Sequence, residues 1–440
     1  MISKIQKSFS CQQKAKKLIP GMSQLLSKRP DRFSYGVWPG YFSRAEGAMI
    51  WDLDGNEYLD MSIGGIGANI LGYCDPDVDA AVMDAVKRGN SSSLNCPEEV
   101  ELAELLCELH PWAKMVRYAR TGGEAMAIAV RIARAATGRD VIAFCGYHGW
   151  HDWYLAANLG SEDALDGHLQ KGLNPLGVPA SLAGSAIPFT YNDLAGLKKV
   201  VNQVGKNLAA VVMEPIRNME PDSGFIEGVM EAVEGSGAVL VIDEISAGFR
   251  LNTGGAHLLY GLIPHIAVFS KALGNGYPVA AIIGTSDIME ASQKTFISST
   301  YWTERIGPVA ALAMIEKHRS CNVSKHLNEI GRMVQDGWRL LGKRYGIPLH
   351  IKGIPPLSHF SIENERQLAL RALYVQLMLD RGILATNMFY PMYAHTKEHI
   401  ETYLKSTEEC FKEMADAMVS GKVESKLEGA PALAGFKRLN

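Results

Sequence analysis

Short apolar runs that alternate with helical segments constrain this chain more than any other feature of its sequence. Strands that are buried on both faces of a sheet have this composition, without alternation of polar and apolar positions. Because helical patterns separate the runs, they predict right-handed βαβ units and a mainly parallel sheet. The runs are bounded by turn residues and cover 141–144, 209–213, 239–242, 266–269 and 279–283.

The sequence on either side of this region has a different pattern. Residues 1–45 are polar and irregular, and Asp54-Gly55 between two strand-like runs of residues 49–60 predicts a β-hairpin. From residue 316 the pattern is helix-rich with a few strands. We therefore predict an N-terminal segment 1–74, a large α/β domain 75–315 and a small α+β domain 316–440.

Composition excludes several classes of protein. The 440 residues include 44 Lys and Arg and 47 Asp and Glu, so the chain is nearly neutral. Its net charge gives no electrostatic reason to expect binding of nucleic acid. No apolar stretch approaches the roughly 18–20 residues of a membrane span. The seven cysteines are scattered and odd in number, which predicts a reducing compartment. No apolar segment follows the lysine-rich first residues, so we expect no secretory signal and a cytoplasmic protein.

Charged side chains follow three of the apolar runs. Glu214 follows 209–213, Asp243 follows 239–242, and Lys271 comes two residues after 269. Ligands of open α/β sheets bind beyond the carboxyl ends of the strands, so these side chains are expected to share a crevice. A lysine there is partly desolvated, which lowers its pKa and favours a Schiff-base nucleophile. The alternative is a surface lysine, but the glycine-rich loop 272–278 argues against it.

A candidate phosphate site precedes a strong helical pattern at 124–137. Gly122 and Gly123 leave backbone N–H groups accessible where the helix dipole is positive. Two glycines before a helix are a weak signal alone. Together with a lysine and a carboxylate at strand ends, they predict a site for a phosphorylated aldehyde cofactor.

Two histidines and several aromatic residues occupy 146–153. His148 and His151 are spaced i, i+3, which could indicate metal ligands. No third ligand accompanies them, so we predict no metal site. Tyr147 and the neighbouring tryptophans either pack in the core or stack on a flat ring.

These segments together resemble the class III pyridoxal-phosphate aminotransferases. The motifs TGGEAMAIAVRIARAATGRD, GYHGWHDW, EPI, VIDEISAGFR and SKALGNGYPVAAIIG occur in the order and spacing of that family. Within the family the chain is most similar to glutamate-1-semialdehyde 2,1-aminomutase and its relatives. The resemblance extends from about Gly47 to about Ala313.

The resemblance implies a fold and an activity. The fold is the type I pyridoxal-phosphate fold, with a seven-stranded, mainly parallel sheet flanked by helices and a smaller α+β domain from the N- and C-terminal segments. The activity is transfer of an amino group from an amino-acid donor to an aldehyde or ketone acceptor, by a ping-pong cycle with pyridoxal 5'-phosphate. The alternative is an intramolecular amino shift, as in the aminomutase. A third hypothesis is an inactive relative that serves as a binding protein, against which the retention of Lys271 and Asp243 argues.

The resemblance also assigns roles to individual residues. Lys271 would bind the cofactor as a Schiff base and move the proton, and Asp243 would pair with the ring nitrogen. Thr303, or Thr300 as a competing candidate, would reach the phosphate of the neighbouring subunit, which implies a homodimer with N-terminal contacts and the active site at its interface. The catalytic residues are thus predicted to be Lys271, Asp243 and Tyr147. The remaining predicted cofactor-binding residues are Gly122 and Gly123 at the phosphate, Tyr147 and Ile245 on the two ring faces, and His148 and Glu214.

Departures from the family pattern refine the prediction. The family usually has Ser-Gly-Thr where this chain has Thr121-Gly122-Gly123, so one hydroxyl donor is missing. The lysine loop resembles ordinary aminotransferases more than the aminomutase, which favours transamination. Polar and aromatic candidates for acceptor contacts would suit a sugar or a small semialdehyde, although packing and subunit contacts explain them equally well. They are Trp38, Tyr41, His151, Trp153, Arg217, Trp302, Glu304 and Arg305.

Overall fold

The computed structural model describes residues 4–161, 163–168 and 171–435. The described chain divides into two compact units. The terminal unit comprises the described residues of Met1–Asp75 and Lys325–Asn440, and the central unit comprises those of Pro76–Ser324. The division predicted from the sequence at residues 74/75 and 315/316 stays a prediction.

The strands of the described chain are short, as the apolar runs predict. They are β1 (Phe42–Glu46), β2 (Met49–Asp52), β3 (Glu57–Met61), β4 (Met115–Ala119), β5 (Val141–Cys145), β6 (Ala186–Pro188), β7 (Leu208–Met213), β8 (Val239–Asp243), β9 (Ile266–Phe269), β10 (Ala280–Gly284), β11 (Leu349–Lys352), β12 (Ser358–Ile362), β13 (Ile383–Ala385) and β14 (Met388–Phe389).

The α-helices range from single turns to 23 residues. They are α1 (Gln6–Leu18), α2 (Gly64–Gly67), α3 (Pro76–Arg88), α4 (Glu98–Leu109), α5 (Gly122–Thr137), α6 (Asp152–Leu155), α7 (Ala157–Gly160), α8 (Leu194–Val204), α9 (Phe225–Ser236), α10 (Ser286–Met289), α11 (Ile306–Ser320), α12 (Val323–Tyr345), α13 (Gln367–Asp380) and α14 (Lys397–Val419).

A seven-stranded sheet forms the middle of the central unit. Its strand order is β4-β10-β9-β8-β7-β5-β6. Strands β9, β8, β7, β5 and β6 run parallel, whereas β10 pairs antiparallel with both β9 and β4. The prediction of a mainly parallel, seven-stranded sheet is therefore confirmed.

The inner strands of this sheet are buried along their whole length. Every residue of β7, β8 and β9 is buried, because helices cover both faces of a parallel sheet. Helix α5 contributes a buried face that includes Ala129 and Ile132. The helix ends at Gly138, whose φ of 66° is the left-handed C-cap conformation that glycine adopts without strain.

The terminal unit holds two smaller sheets and the long helices α12, α13 and α14. The sheet orders are β1-β2-β3-β13 and β11-β12-β14. Strands β2 and β3 pair antiparallel around the Asp54-Gly55 turn, where Gly55 has φ 90°, so the predicted hairpin is confirmed. Trp338 and Phe411 lie in the apolar cluster that holds this unit together.

Within residues 4–161, 163–168 and 171–435, no helix combines the length and the apolar character that a membrane span needs.

Candidate active site

The register of the central sheet aligns the carboxyl ends of its inner strands. Cys145 of β5 is opposite Met213 of β7, and Met213 is opposite Ile242 of β8. The residue that follows each of these positions therefore lies near one level at the edge of the sheet. Two of those residues are the predicted carboxylates Glu214 and Asp243.

Lys271 lies just beyond strand β9, at the start of a 3₁₀ turn. Its backbone has φ 46°, in the left-handed region that residues other than glycine rarely adopt. Its Nζ donates a hydrogen bond of 2.7 Å to Oγ of Ser246. Ser246 follows Asp243 by three residues, so this bond ties the lysine to the end of β8. Strained backbone of this kind is concentrated at functional sites.

The surroundings of Lys271 disfavour its protonated form. Burial lowers the pKa of its amine to about 8, and the guanidinium groups of Arg217 and Arg250 act in the same direction. The carboxylates of Glu214 and Asp243 oppose this shift. At pH 7 about one tenth of such amines are neutral, far more than for an exposed lysine.

Asp243 and His148 form a buried pair. Asp243 is 3% exposed, and its Oδ2 lies 2.8 Å from Nδ1 of His148, while its Oδ1 accepts from the Ile245 N–H at 2.9 Å. The Nε2 atom of His148 lies 3.0 Å from the carbonyl oxygen of Cys145. A carbonyl oxygen only accepts, so Nε2 carries a hydrogen and the Nδ1–Oδ2 contact holds one further proton. The carboxylate is fixed from two sides.

Glu214 connects the ends of β5 and β7. Its Oε1 accepts from Arg217 at 3.0 Å, and its Oε2 accepts from the Tyr147 N–H at 3.4 Å. The Tyr147 ring packs edge-on against Tyr154 with centroids 5.8 Å apart, and burial raises the pKa of its hydroxyl. Glu214 and Tyr147 therefore belong to the same crevice as Asp243.

The N-terminus of α5 adjoins these groups. The Glu124 carboxylate accepts from the Arg120 N–H at 2.9 Å and from the Thr121 N–H at 3.4 Å, which holds the start of the helix. The first N–H groups of an α-helix have no partner within the helix, and here they belong to Gly122 and Gly123. This is the geometry of an anion site.

Both glycines lie in close contact with neighbouring side chains. A Cβ on Gly122 would lie 2.8 Å from Cδ1 of Ile245, and one on Gly123 would lie 3.1 Å from Nδ1 of His151. The Nδ1 of His151 is itself buried and has no hydrogen-bond partner within the described chain. The backbone N–H groups of Gly122 and Gly123, which no side chain covers, form a cradle beside the unpaired Nδ1 of His151. This arrangement of hydrogen-bonding nitrogen atoms fits an anionic group such as a phosphate. The residues therefore fit a phosphorylated aldehyde cofactor held between this cradle and Lys271.

Thr303 is the one predicted site residue that the structure leaves apart from this group. It is exposed in the turn 300–303, and its Oγ1 donates to the carbonyl oxygen of Thr300 at 3.1 Å. Trp302 Nε1 donates to Oε1 of Glu124 at 3.0 Å, so the turn lies beside the start of α5. Within the described chain the Thr303 hydroxyl is hydrogen-bonded to the competing candidate Thr300 and not to the predicted residues at the strand ends.

Several candidate acceptor contacts are engaged elsewhere. Trp38 lies in the terminal unit and stacks on Phe33 with centroids 4.1 Å apart. Glu304 pairs with Arg120 at 2.9 Å, and Arg305 with Glu98 at 3.1 Å. Sequence reasoning did not single out Ser246, whose only signal is its place three residues after Asp243.

The described residues contain no group of three or more His, Cys, Asp or Glu side chains that could hold a metal ion.

Known proteins that are similar to this chain include an aminotransferase and an aminomutase. A family model for class III aminotransferases matches residues 34–411. The chain is 31% identical over 428 residues to a 3-aminobutyryl-CoA aminotransferase of Cloacimonas acidaminovorans (strain Evry), covering 93% of this chain and 98% of that protein. It is 33% identical over 410 residues to glutamate-1-semialdehyde 2,1-aminomutase 2 of Lysinibacillus sphaericus (strain C3-41), covering 87% and 93%.

Among solved structures, the chain resembles the PLP internal aldimine form of the FumI protein of Sphingopyxis sp. MTA144. The TM-score is 0.86 at 22% identity, and the match covers 98% of this chain and 99% of that one. At this identity the likeness concerns the fold, which is the type I fold that the sequence predicts.

Proposed function

Since the chain belongs to the class III aminotransferases, which use pyridoxal 5'-phosphate, we propose that it moves an amino group from an amino-acid donor to a polar aldehyde or ketone acceptor by a ping-pong cycle. The observation that carries this proposal is the environment of Lys271. Its amine is withdrawn from water, has a pKa of about 8 and adjoins the buried Asp243. An amine with a pKa near the working pH can both accept and return a proton.

The residues around Lys271 suit the parts of the cofactor. Nζ of Lys271 would bind its aldehyde carbon, and the N–H groups of Gly122 and Gly123 would bind its phosphate. Asp243 would accept a charge-assisted hydrogen bond from the ring nitrogen, which is stronger than a neutral one. When bound, pyridoxal phosphate supplies a carbonyl carbon for the amino group and a ring that withdraws electrons from the reacting carbon.

The other predicted residues would orient this group. Tyr147 and Ile245 would hold the two faces of the ring. His148 keeps the Asp243 carboxylate in one orientation, since its ring is itself held by the Cys145 carbonyl. Glu214 would hold the crevice closed on the β5 side through its bond with Tyr147.

Lys271 would carry the proton transfer as well. Its neutral Nζ would take the proton from the α-carbon of the donor and return one to the product. The bond to Ser246 Oγ keeps Nζ in place while it is neutral, because a hydroxyl can donate as well as accept.

A polar acceptor is supported by the cavity beside Glu214. It has a volume of about 320 Å³ and lies at the ends of β5 and β7. The polar side chains in its lining would suit hydroxyl and carbonyl groups, as in a sugar or a small semialdehyde, and apolar groups such as Phe189 and Met219 form the rest of the lining. The polar side chains that line it include His168, Thr190, Tyr191, Arg217 and Asn218.

The reaction is tested by adding one substrate at a time. Purified enzyme incubated with glutamate or another amino acid should release one equivalent of oxo acid per active site and then stop. Addition of a suitable acceptor should restart the release. Glutamate-1-semialdehyde 2,1-aminomutase activity is the second candidate, because a 33% identical relative carries that name. Isomerisation of glutamate semialdehyde without any donor, with no oxo acid from any amino acid, would establish that reaction instead.

The enzyme is also proposed to be a cytoplasmic homodimer with the active site at the interface. The exposed Thr303 supports this, and so do three large apolar side chains of the central unit that face solvent in the single chain. They are Trp150 (68% exposed), Phe296 (84%) and Tyr301 (72%). A cytoplasmic location is supported by the scattered, odd number of cysteines, which fits a reducing compartment.

A further inference from the structure

The side chain of His151 occupies the space next to Gly123 at the start of α5. A Cβ on Gly123 would lie 3.1 Å from Nδ1 and 3.2 Å from Cε1 of this imidazole. A threonine at position 123, as the family usually has, would therefore meet the ring. The imidazole and a side chain at position 123 are alternatives for the same space.

Two contacts hold His151 in this position. Trp150 stacks on the imidazole with centroids 4.4 Å apart. Gly149 packs backbone to backbone against the helix start, since a Cβ on it would lie 3.0 Å from Cα of Gly123. Gly149 has φ 101°, which a residue with a side chain rarely adopts. The segment 149–151 is thus built to bring this ring against the N-terminus of α5.

The Nδ1 atom of His151 lacks a partner in the described chain although it is buried. An unpaired buried polar atom is costly in a folded protein, and each one calls for an explanation. Burial lowers the pKa of the His151 imidazole, and the carboxylates of Glu124 and Asp152 oppose this shift only in part. Even a neutral imidazole can donate one hydrogen bond from Nδ1 to an anion.

We propose that His151 binds the phosphate of the cofactor through Nδ1 and replaces the hydroxyl that Gly123 lacks. This inference rests on the proposed function, because it requires pyridoxal phosphate at this site. It makes His151 a cofactor ligand, whereas its sequence alone offered a metal ligand or an acceptor contact.

The test compares two cofactors that differ only in the phosphate. The full-length enzyme is stripped of cofactor by dialysis with an amino donor, and equilibrium dialysis then measures its affinity for pyridoxal phosphate and for pyridoxal. We expect His151→Ala to weaken pyridoxal phosphate binding about 10- to 100-fold, as for loss of a hydrogen bond to a charged group. Binding of pyridoxal should change less than about twofold. His151→Asn, whose amide nitrogen lies near the position of Nδ1, should retain most of the affinity.

An exchange of side chains makes the test independent of folding effects. Gly123→Thr alone should clash with the imidazole and weaken binding of pyridoxal phosphate. In the double variant His151→Ala/Gly123→Thr the hydroxyl enters the vacated space, and affinity should return to near the wild-type value. The exposed His350, in the terminal unit, is a matched control, since His350→Ala should change neither affinity.

Three outcomes would overturn the inference. They are unchanged binding of pyridoxal phosphate by His151→Ala, an equal loss for both cofactors, and no recovery in the double variant. A wild-type enzyme that binds pyridoxal phosphate no more tightly than pyridoxal would also contradict it. If the wild-type enzyme binds neither cofactor, the proposed function itself is wrong. That result differs from an enzyme that binds pyridoxal phosphate without help from His151, so the two hypotheses can be rejected separately.

Discussion

Two features of Lys271 are energetically unfavourable in the protein without cofactor. Its backbone is left-handed, and its amine is buried away from water. Below pH 8 the amine is charged in both the folded and the unfolded chain, so the full cost of burying the charge is present. Between pH 8 and 10.5 the folded chain loses this proton first, and the cost falls. A shift of this size corresponds to about 3 kcal/mol. The unfolded chain binds more protons in this window, so stability rises with pH.

Lys271→Met should therefore stabilise the cofactor-free protein. We expect a gain of about 3 kcal/mol in the free energy of unfolding at pH 7, which shrinks as the pH rises above 8. The same variant should retain no cofactor after borohydride reduction. Urea unfolding at pH 7 and 9.5 measures the first effect, and mass spectrometry measures the second.

The exposed Lys294 is the matched control, because Lys294→Met removes a charge that is already in water. Its effect on stability should be small at both pH values. Equal or lower stability of Lys271→Met at pH 7, or a reduced cofactor adduct on another lysine, would refute this assignment.

At the scale of elements, the start of helix α5 depends on the absence of side chains. Gly122→Ala would place a Cβ 2.8 Å from Cδ1 and 3.0 Å from Cγ2 of Ile245. Overpacking of this kind costs typically about 1–3 kcal/mol. Because both residues adjoin the cofactor site, we expect weaker binding of pyridoxal phosphate together with lower stability.

Ile245→Ala removes the atoms that clash, so Gly122→Ala/Ile245→Ala should lose less than the sum of the single variants. A double-mutant cycle on cofactor affinity and urea unfolding measures this coupling. Gly235→Ala, inside helix α9 with open space around it, is the control and should stabilise the protein by up to about 1 kcal/mol. Additive effects of the two substitutions would show that the contact between positions 122 and 245 contributes neither to stability nor to cofactor affinity.

At the scale of the whole molecule, the homodimer proposal predicts that an inactive variant and a variant with weak cofactor binding complement each other when cofactor is limiting. Lys271→Met lacks the lysine, and Thr303→Val is expected to bind cofactor weakly when cofactor is limiting. After subunit exchange, one site of each mixed dimer combines an intact Lys271 with an intact Thr303. Random exchange should restore about one quarter of the wild-type activity.

The same mixture with Thr300→Val in place of Thr303→Val tests the competing threonine. Sedimentation of the wild-type enzyme should give a dimer. A fully active monomer, or no recovery with either threonine variant, would contradict an active site shared between subunits.

The inner strands of the central sheet could be predicted because burial on both faces requires apolar residues at every position. Strands β7, β8 and β9 are therefore short continuous apolar runs, which can be recognised in the sequence without knowledge of the fold. The two edge strands, β4 and β6, were not predicted. Strand β4 contains Arg117 and Tyr118 and is half-buried along most of its length, and β6 has three residues. An edge strand has one open side, so its sequence need not be apolar.

The sequence by itself determined the positions of Glu214, Asp243 and Lys271, because residues at the carboxyl ends of parallel strands meet at one edge whatever the loops do. Only the tertiary structure decided that Ser246 holds Nζ of Lys271 and that His151 lies against Gly123. The latter two residues are separated by a helix, a strand and a loop. Their contact depends on the path of that loop and on close packing of backbone at Gly149, and no local pattern of residues encodes either.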